Sequence, residues 1–250
     1  MTDSFEYIAE GQIFHGNVPH VMGTRLDVLM VGVSEEKAVA LWKRLCGRVN
    51  GLDAMLNRFD PGSEVSAMNA TGVPLKSRMS DEMSLIVTLA DEYRGRTCGL
   101  FDVVDAEGKL DFGGFAKGYF LKECGNMLRE EGVGCAFVDF GNSSILGIGH
   151  HPYGDSWKVG VVNPFTQKVL TEISLRDSAM STSGNTPSYT GHIRNPKTGQ
   201  TCREHKVVTA VATDPLDVEI LSTVLMIADE EQKKMIGKEF PEVKTDIFEI

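Results

Sequence analysis

The sequence predicts an α+β protein: a single compact domain, residues 1–250, in which a largely antiparallel sheet is flanked by helices. In the first half of the chain, a strand-like segment is followed by amphipathic helical patterns. From residue 135 onward, short runs rich in β-branched residues follow one another, separated by Gly, Pro, Asn and Asp. Helices mixed with such a run of neighbouring strands indicate α+β with a largely antiparallel sheet. Hydrophobic residues make up 42% of the chain, enough to bury a full core.

The first half contains one predicted strand and three predicted helices. Residues 25–33 are rich in Leu, Val and Met and predict a mostly buried strand. Ser34 is expected to cap the first helix, whose opening acids Glu35 and Glu36 suit its positive end. A continuation of this helix to residue 56, bent or broken near Gly51, is an open alternative. A second helix is predicted to start near Ser80, and a third to follow residue 114 and end near residue 132.

The second half predicts a run of strands and two closing helices. The strands are expected at residues 135–140, 144–148, 157–162, 169–175 and 207–213. Helices are expected at 216–228 and 230–240, with a possible final strand at 244–249.

Composition limits the classes of function. A net charge of −10 and a pI near 5.1 argue against a general nucleic-acid-binding surface. The five Cys form no CxxC pair, which argues against a disulfide framework or a zinc ribbon. The first residues show no basic leader and no long apolar run, so we expect no signal peptide, no membrane span and a cytoplasmic chain. A trimmed exported form would have the same appearance.

A glycine-rich turn, Asp111-Phe-Gly-Gly-Phe-Ala-Lys-Gly118, leads into the third predicted helix. Gly113 and Gly114 let a ligand approach the backbone, and a helix start offers free N–H groups and partial positive charge to a phosphate. Lys117 adds a full positive charge. A tight strand–helix connection explains the isolated motif equally well.

Three further patterns carry candidate chemistry. Ser181-Thr-Ser-Gly184 offers hydroxyls for phosphate oxygens, although a polar turn is the simpler interpretation of the isolated motif. His192 precedes a Pro/Gly turn and is suited to accept a proton near neutral pH. Glu219 and Thr223 lie one helical turn apart, and both side chains are hard oxygen ligands suited to Mg²⁺. Considered separately, each of these residues has an ordinary structural explanation.

Taken in order, the motifs resemble those of one family, the ApbE-type FAD:protein FMN transferases. The similarity covers nearly the whole chain. The matching segments are Met22-Gly-Thr24, Arg58 to Asn69, Leu100-Phe-Asp102, the 111–118 loop, Phe140-Gly141, residues 179–184, residues 192–199 and residues 219–223.

The resemblance implies an ApbE/T-fold-like architecture and a defined chemistry. Enzymes of this family split FAD, release AMP and attach FMN to a threonine or serine of a partner flavoprotein, with Mg²⁺ between the diphosphate oxygens. By position, the metal ligands would be Glu219, Thr223 and the Gly114 carbonyl. Lys117 would steady the diphosphate and His192 would activate the acceptor hydroxyl. The flavin nucleotide would be bound by a further set: Met22, Glu64, Asn69, Gly113, Gly114, Lys117, Ser181 and Thr182.

Two departures from the family pattern leave alternatives open. The family has Asp where this chain has Glu219, and it has a longer segment where only residues 103–110 remain. That longer segment would help to wall the flavin cleft. A non-catalytic relative that binds a flavin nucleotide or a partner, and a metal-dependent FAD pyrophosphatase, are therefore the competing hypotheses.

Overall fold

A computed structural model of the chain describes residues 3–71 and 79–250. The described residues form six helices, a large sheet and a small two-stranded ribbon. The helices are α1 (Glu35–Leu56), α2 (Glu64–Thr71), α3 (Asp81–Arg96), α4 (Ala116–Glu130), α5 (Pro215–Val224) and α6 (Glu230–Glu239). The strands are β1 (Ser4–Ile8), β2 (Ile13–Val21), β3 (Thr24–Val31), β4 (Cys135–Phe140), β5 (Ser144–Ile148), β6 (Trp157–Val162), β7 (Val169–Leu175), β8 (Ser178–Gly184), β9 (Lys206–Ala212) and β10 (Lys244–Glu249).

The main sheet confirms the predicted α+β class. Its eight strands lie in the order β1-β2-β3-β4-β5-β8-β9-β10, and each neighbouring pair is antiparallel. The strands β6 and β7 leave this order and pair only with each other, again antiparallel. The chain therefore places β5 directly beside β8, which brings two serine-rich segments together.

The core fills the space between one face of the sheet and the helices. Strand β4 shows why, because its residues alternate between buried and half-buried positions with the period of two that a sheet imposes. The helix α1 packs close to β2 at Gly16, where a Cβ atom would lie 2.7 Å from the ring of Trp42. The absence of a side chain at Gly16 thus lets the indole lie directly on the strand.

The opposite face of the sheet is partly covered by the β6–β7 ribbon. Trp157 is 4% exposed there and donates a hydrogen bond from its indole N–H to the Ile148 carbonyl at 3.0 Å. It belongs to a second apolar cluster together with Ile145, Leu175 and Val207. The helices cover one face of the sheet, so the chemistry described below lies between the sheet and the helices.

Most predicted elements are confirmed, several to the residue. The strands at 135–140, 144–148, 157–162, 169–175 and 244–249 have the predicted bounds, and α3 begins after Ser80. The helix α1 continues through Gly51 without interruption, so the proposed break there is wrong. Ser34 occupies the N-cap position but forms no side-chain capping hydrogen bond.

Four elements were not predicted: β1, β2, α2 and β8. Strand β2 contains Gly16 and Pro19, which weaken the strand pattern, and its register with β3 shifts between Val18 and Val21. Strand β8 consists mainly of small polar residues with little intrinsic preference for a strand. The interpretation of residues 181–184 as a polar turn is therefore wrong; tertiary pairing with β5 and β9 makes them a strand. Across the two described ranges, no helix has both the length and the apolar character needed to cross a membrane.

Candidate functional site

Four elements meet where helix α4 begins: the first turn of α4, the start of β5, the middle of β8 and helix α5. The two helices approach closely at Gly118, where a Cβ atom would lie 2.5 Å from the Cβ of Glu219 and 3.0 Å from the Pro215 carbonyl oxygen. The chain reverses between β4 and β5 through Gly141 and Asn142, both with positive φ. That turn places Ser143 and Ser144 next to the start of α4.

Lys117 and Glu219 form a buried ion pair at this junction. The Lys117 Nζ lies 2.8 Å from Glu219 Oε1, and the two side chains are 19% and 5% exposed. A carboxylate buried to this extent requires a partner for its charge, and the ammonium ion supplies it. This ion pair thereby connects the first turn of α4 to the middle of α5.

Serine hydroxyls satisfy the remaining groups of the pair. Ser144 donates to Glu219 Oε2 at 2.5 Å and accepts from Lys117 at the same distance, while Ser181 donates to Oε2 at 3.0 Å. Ser143 accepts a second bond from Lys117 at 3.0 Å. Both oxygens of the Glu219 carboxylate are therefore engaged by protein donors.

Further hydroxyl groups on α5 and β8 contact the residues of this cluster. The Ser222 hydroxyl donates to Ser181 Oγ at 3.0 Å. Thr223 donates to the Glu219 carbonyl at 3.4 Å, and its hydroxyl lies 3.2 Å from that of Ser183. Glu219 and Thr223 thus share one turn of α5, as their spacing predicted.

The donor chemistry of the predicted metal site suits Mg²⁺. Glu219 contributes a carboxylate, Thr223 a hydroxyl and Gly114 a main-chain carbonyl, all hard oxygens. Within residues 3–71 and 79–250, no cluster of three or more His, Cys, Asp or Glu side chains is arranged to hold a metal ion. A cation here would therefore depend on a single carboxylate, and it would have to share that carboxylate with Lys117.

The glycine-rich loop forms the open side of the site. Its Gly113 is exposed, and the Gly113 N–H donates to Asp111 Oδ1 at 2.9 Å. Asp111 is fixed in turn by Arg58, whose Nη1 lies 2.7 Å from Asp111 Oδ2. Phe115 occupies the N-cap position of α4, and no side chain caps the helix. The first turn of α4 therefore keeps its positive end uncapped, as an anion-binding helix start does.

Residues 103–110 fold back on themselves beside this loop. Val104 and Leu110 form an antiparallel bridge, and the Asp105 carboxylate accepts hydrogen bonds from the backbone of the turn. Arg58 lies 3.6 Å from Asp105, and Arg194 lies 3.5 Å from Glu107. Residues 103–110 thus form a closed hairpin that touches both neighbouring loops.

The other predicted nucleotide-binding residues each have a local structural partner. Asn69 forms two hydrogen bonds with the backbone of Leu110, and Glu64 accepts from both the N–H and the hydroxyl of Ser80. Met22, in the tight turn between β2 and β3, has a positive φ of 49°. Its N–H donates to the Asp53 carboxyl, whose pKa is raised because the group is buried.

His192 lies in the long loop between β8 and β9. Its ring stacks on Tyr189 with a centroid distance of 4.1 Å and an interplanar angle of 19°. Asn185 fixes the loop by donating to the carbonyls of Cys202 and Glu204. Partial burial lowers the pKa of His192 below its ordinary 6.5, because desolvation disfavours the charged ring.

The sequence of this region matches a family model. The model described as "ApbE family" matches residues 104–245, which include the glycine-rich loop, both serine-rich strands and helix α5. The chain belongs to the ApbE family.

Relatives with curated names are consistent with this membership. One protein of Klebsiella pneumoniae strain 342, named FAD:protein FMN transferase, is 29% identical over 139 residues, covering 52% of this chain and 42% of that protein. A second protein with the same name and from the same strain is 21% identical over 280 residues, covering 87% and 79%. In the first match, the chain therefore spans less than half the length of its relative.

Solved structures show the same fold. The flavin transferase ApbE of Vibrio cholerae has a TM-score of 0.78 at 19% identity, with 94% of this chain and 93% of that chain covered. The ApbE protein of Thermotoga maritima has a TM-score of 0.79 at 19% identity, with 94% of each covered. The apo flavinyl transferase ApbE of Pseudomonas stutzeri has a TM-score of 0.74 at 21% identity, with 97% and 90% covered.

In this ApbE-family chain, the structure brings together only part of the predicted residue set. Lys117, Ser181, Glu219 and Thr223 lie in one hydrogen-bonded cluster. Thr182 follows Ser181 on the strand, so its side chain points to the opposite face of the sheet.

Three serines that no sequence pattern predicted also belong to the cluster: Ser143, Ser144 and Ser222. Ser143 and Ser144 directly follow the Phe140-Gly141 motif and the turn at Asn142. Their two hydroxyls at the start of a buried strand, next to that motif, were the sequence signal that could have identified Ser143 and Ser144 as site residues.

Proposed function

We propose that this ApbE-family chain transfers FMN from FAD to a threonine or serine hydroxyl of a partner flavoprotein, releases AMP, and depends on Mg²⁺. The observation that carries the proposal is the buried Lys117–Glu219 pair at the uncapped start of α4, next to the glycine-rich loop. A positive group and a carboxylate at a helix N-terminus are the parts that binding a metal–diphosphate requires. The names of the Klebsiella relatives, FAD:protein FMN transferase, support the transfer of FMN from FAD to a protein.

The reaction exchanges the phosphoanhydride linkage of FAD for a phosphoester to the acceptor. The acceptor oxygen attacks the phosphorus of the FMN half of FAD. The bridging P–O bond of the diphosphate breaks, and AMP leaves with the bridging oxygen. The acceptor proton passes to a base, for which we propose the neutral ring of His192. Mg²⁺ would offset the charge that develops on the leaving diphosphate oxygen.

Apart from His192, the residues divide into three roles in this proposal. Glu219, Thr223 and the Gly114 carbonyl would hold the metal. Lys117 would neutralise the diphosphate. It lies in the first turn of α4, so its side chain can reach an anion bound at the start of the helix. The nucleotide would be lined by Met22, Glu64, Asn69, Gly113, Gly114, Ser181 and Thr182.

The test combines ligand binding with product analysis. The pure protein is incubated with FAD and Mg²⁺, with and without a flavin-acceptor domain that contains a threonine. AMP is measured by chromatography and acceptor-bound flavin by mass spectrometry, and samples with EDTA provide the control. Flavinylated acceptor and AMP in equal amounts, both lost with EDTA, are the expected result. If neither FAD nor ADP with Mg²⁺ raises the melting temperature at millimolar concentration, the proposal is wrong.

A second candidate function is supported by the hairpin at residues 103–110. The hairpin is closed by its own β-bridge, and both the Nδ2 and the Oδ1 of Asn69 are hydrogen-bonded to the backbone of Leu110. A non-catalytic relative that binds the nucleotide or a partner would keep the fold without a longer cleft wall. FAD binding without AMP release would favour this function, whereas release of AMP and free FMN without any acceptor would indicate a pyrophosphatase.

A further inference from the structure

The Glu219 carboxylate already has a positively charged partner, the ammonium group of Lys117. Lys117 lies 2.8 Å from Oε1, and Oε2 accepts from Ser144 and Ser181. Among the described residues, Oε1 accepts only from Lys117, so a metal ion that binds this oxygen must either displace the ammonium ion or lie directly beside it. The positive charge of Lys117 would repel a metal ion that binds there.

Lys117 has a second set of partners that can hold it. Its ammonium group donates to Ser143 and Ser144, and the side chain is 19% exposed, so it reaches the open side of the site. Ser143 contacts Lys117 but not Glu219, whereas Ser144 contacts both. The lysine can therefore move away from Oε1 toward an anion in front of α4 while keeping a hydrogen bond to Ser143.

We infer that Lys117 and the divalent cation compete for the Glu219 carboxylate, so that the site takes the cation together with a diphosphate rather than alone. The inference rests on the proposed function. A bare divalent ion would leave two cationic groups facing one buried carboxylate, which is unfavourable at low dielectric. A diphosphate supplies the missing negative charge and accepts the displaced ammonium ion. The form of substrate recognised is then the metal–dinucleotide complex.

The experiment measures binding of Mn²⁺ alone, a paramagnetic substitute for Mg²⁺, by the loss of the free-ion EPR signal. The wild type is compared with Lys117→Gln, which keeps a hydrogen-bond donor but removes the charge. We expect Lys117→Gln to bind Mn²⁺ at least roughly tenfold more tightly than the wild type, because the competing charge is gone. Lys117→Arg keeps the charge and should bind Mn²⁺ as the wild type does.

A matched control is available on the same helix. Lys122 pairs with Asp214 at 2.6 Å and also joins α4 to the start of α5, but it lies outside the serine cluster. Lys122→Gln should leave Mn²⁺ affinity unchanged. If Lys117→Gln does not fold, Ser143→Ala provides the second variant. It removes the anchor that would hold the displaced Lys117 without touching Glu219, so it should weaken Mn²⁺ binding by roughly threefold; unchanged or tighter Mn²⁺ binding would contradict the competition.

The double variant Lys117→Gln/Glu219→Gln identifies where the ion binds. Loss of the tight Mn²⁺ binding in the double variant supports competition at Glu219. If Lys117→Gln binds Mn²⁺ no more tightly than the wild type while Glu219→Gln loses binding, competition is wrong and the proposed metal site stands. If Mn²⁺ binding is the same with and without Glu219, the metal site itself is wrong and the inference fails with it.

Discussion

The side-chain amide of Asn69 pairs with the backbone of Leu110 as a neighbouring strand would. Nδ2 donates to the Leu110 carbonyl at 3.0 Å, and Oδ1 accepts from the Leu110 N–H at 2.7 Å. Leu110 is 2% exposed and closes the hairpin that begins at Val104. Helix α2 therefore holds the hairpin shut through a single side chain, just before the chain enters the glycine-rich loop.

Asn69→Ala should open this hairpin. The substitution removes both partners of Leu110, and leaving buried backbone groups unpaired costs about 1–3 kcal/mol. We expect a lower free energy of unfolding and faster hydrogen exchange at the Leu110 amide, measured by denaturant titration and by mass spectrometry. Asn17→Ala, which removes one hydrogen bond to Asp27 on the opposite face of the sheet, is the control. Unchanged exchange at Leu110 in Asn69→Ala would show that the pairing does not hold the hairpin.

Gly118→Ala should separate α4 from α5 and disturb the Lys117–Glu219 pair. The new Cβ would lie 2.5 Å from the Cβ of Glu219, so the helices must shift, at a cost of about 1–3 kcal/mol. We expect a lower melting temperature and weaker binding of ADP with Mg²⁺. Gly51→Ala in α1 is the matched control. Its Cβ meets nothing within 4 Å, and an alanine there should stabilise the helix by about 0.5–1 kcal/mol. An equal rise in stability for both variants would contradict the close packing at Gly118.

Glu219→Ala should abolish magnesium-dependent FAD turnover, and it should also destabilise the fold. Removing the carboxylate leaves the Lys117 ammonium ion without its partner, which costs about 3–5 kcal/mol for a well-buried pair. Glu219→Asp should preserve or improve turnover, because the shorter carboxylate keeps its charge and withdraws from Lys117. AMP release and thermal unfolding provide the two measurements.

The control for general loss of an ion pair is Glu123→Ala, which breaks the Arg48–Glu123 contact of 2.7 Å. It should lower stability without changing FAD turnover. Full turnover in Glu219→Ala would exclude this residue from the metal site.

His192→Ala should slow FMN transfer by roughly 10²–10⁴-fold and leave FAD affinity nearly unchanged, as expected for loss of a general base. Burial lowers the pKa of His192 below 6.5, so the neutral ring persists to a lower pH than for an ordinary histidine. The wild-type transfer rate should therefore fall only below pH 6.5. Since the native state binds fewer protons here than the unfolded state, the contribution of this ring to stability is present above pH 6.5 and decreases as the pH falls from there toward the lowered pKa.

His205 provides the control, because it also lies in the loop region and stacks on an aromatic ring, that of Phe165 at 4.5 Å. Transfer by His205→Ala should equal that of the wild type. Equal rates in His192→Ala and the wild type would remove His192 from the mechanism.

Local patterns in the sequence predicted most of the secondary structure. Strands such as β4 and β5 carry dense β-branched and apolar residues, and α3 and α4 carry an apolar stripe with a clear start, so their periodicity is visible without tertiary information. Strand β8 was not predicted, because its small residues have no strand preference of their own. It is a strand because β5 and β9 pair with it on both sides.

The candidate site divides in the same way. The sequence by itself determined that Lys117 opens a helix after two glycines and that Glu219 and Thr223 share a helix turn, because those relations extend over a few residues. Only the tertiary structure decided that Ser144, 75 positions from Glu219 along the chain, would donate to its carboxylate, and that Lys117 would neutralise it. Contacts over such separations depend on strand order and on how closely two helices pack at Gly118, and no local period encodes either of these.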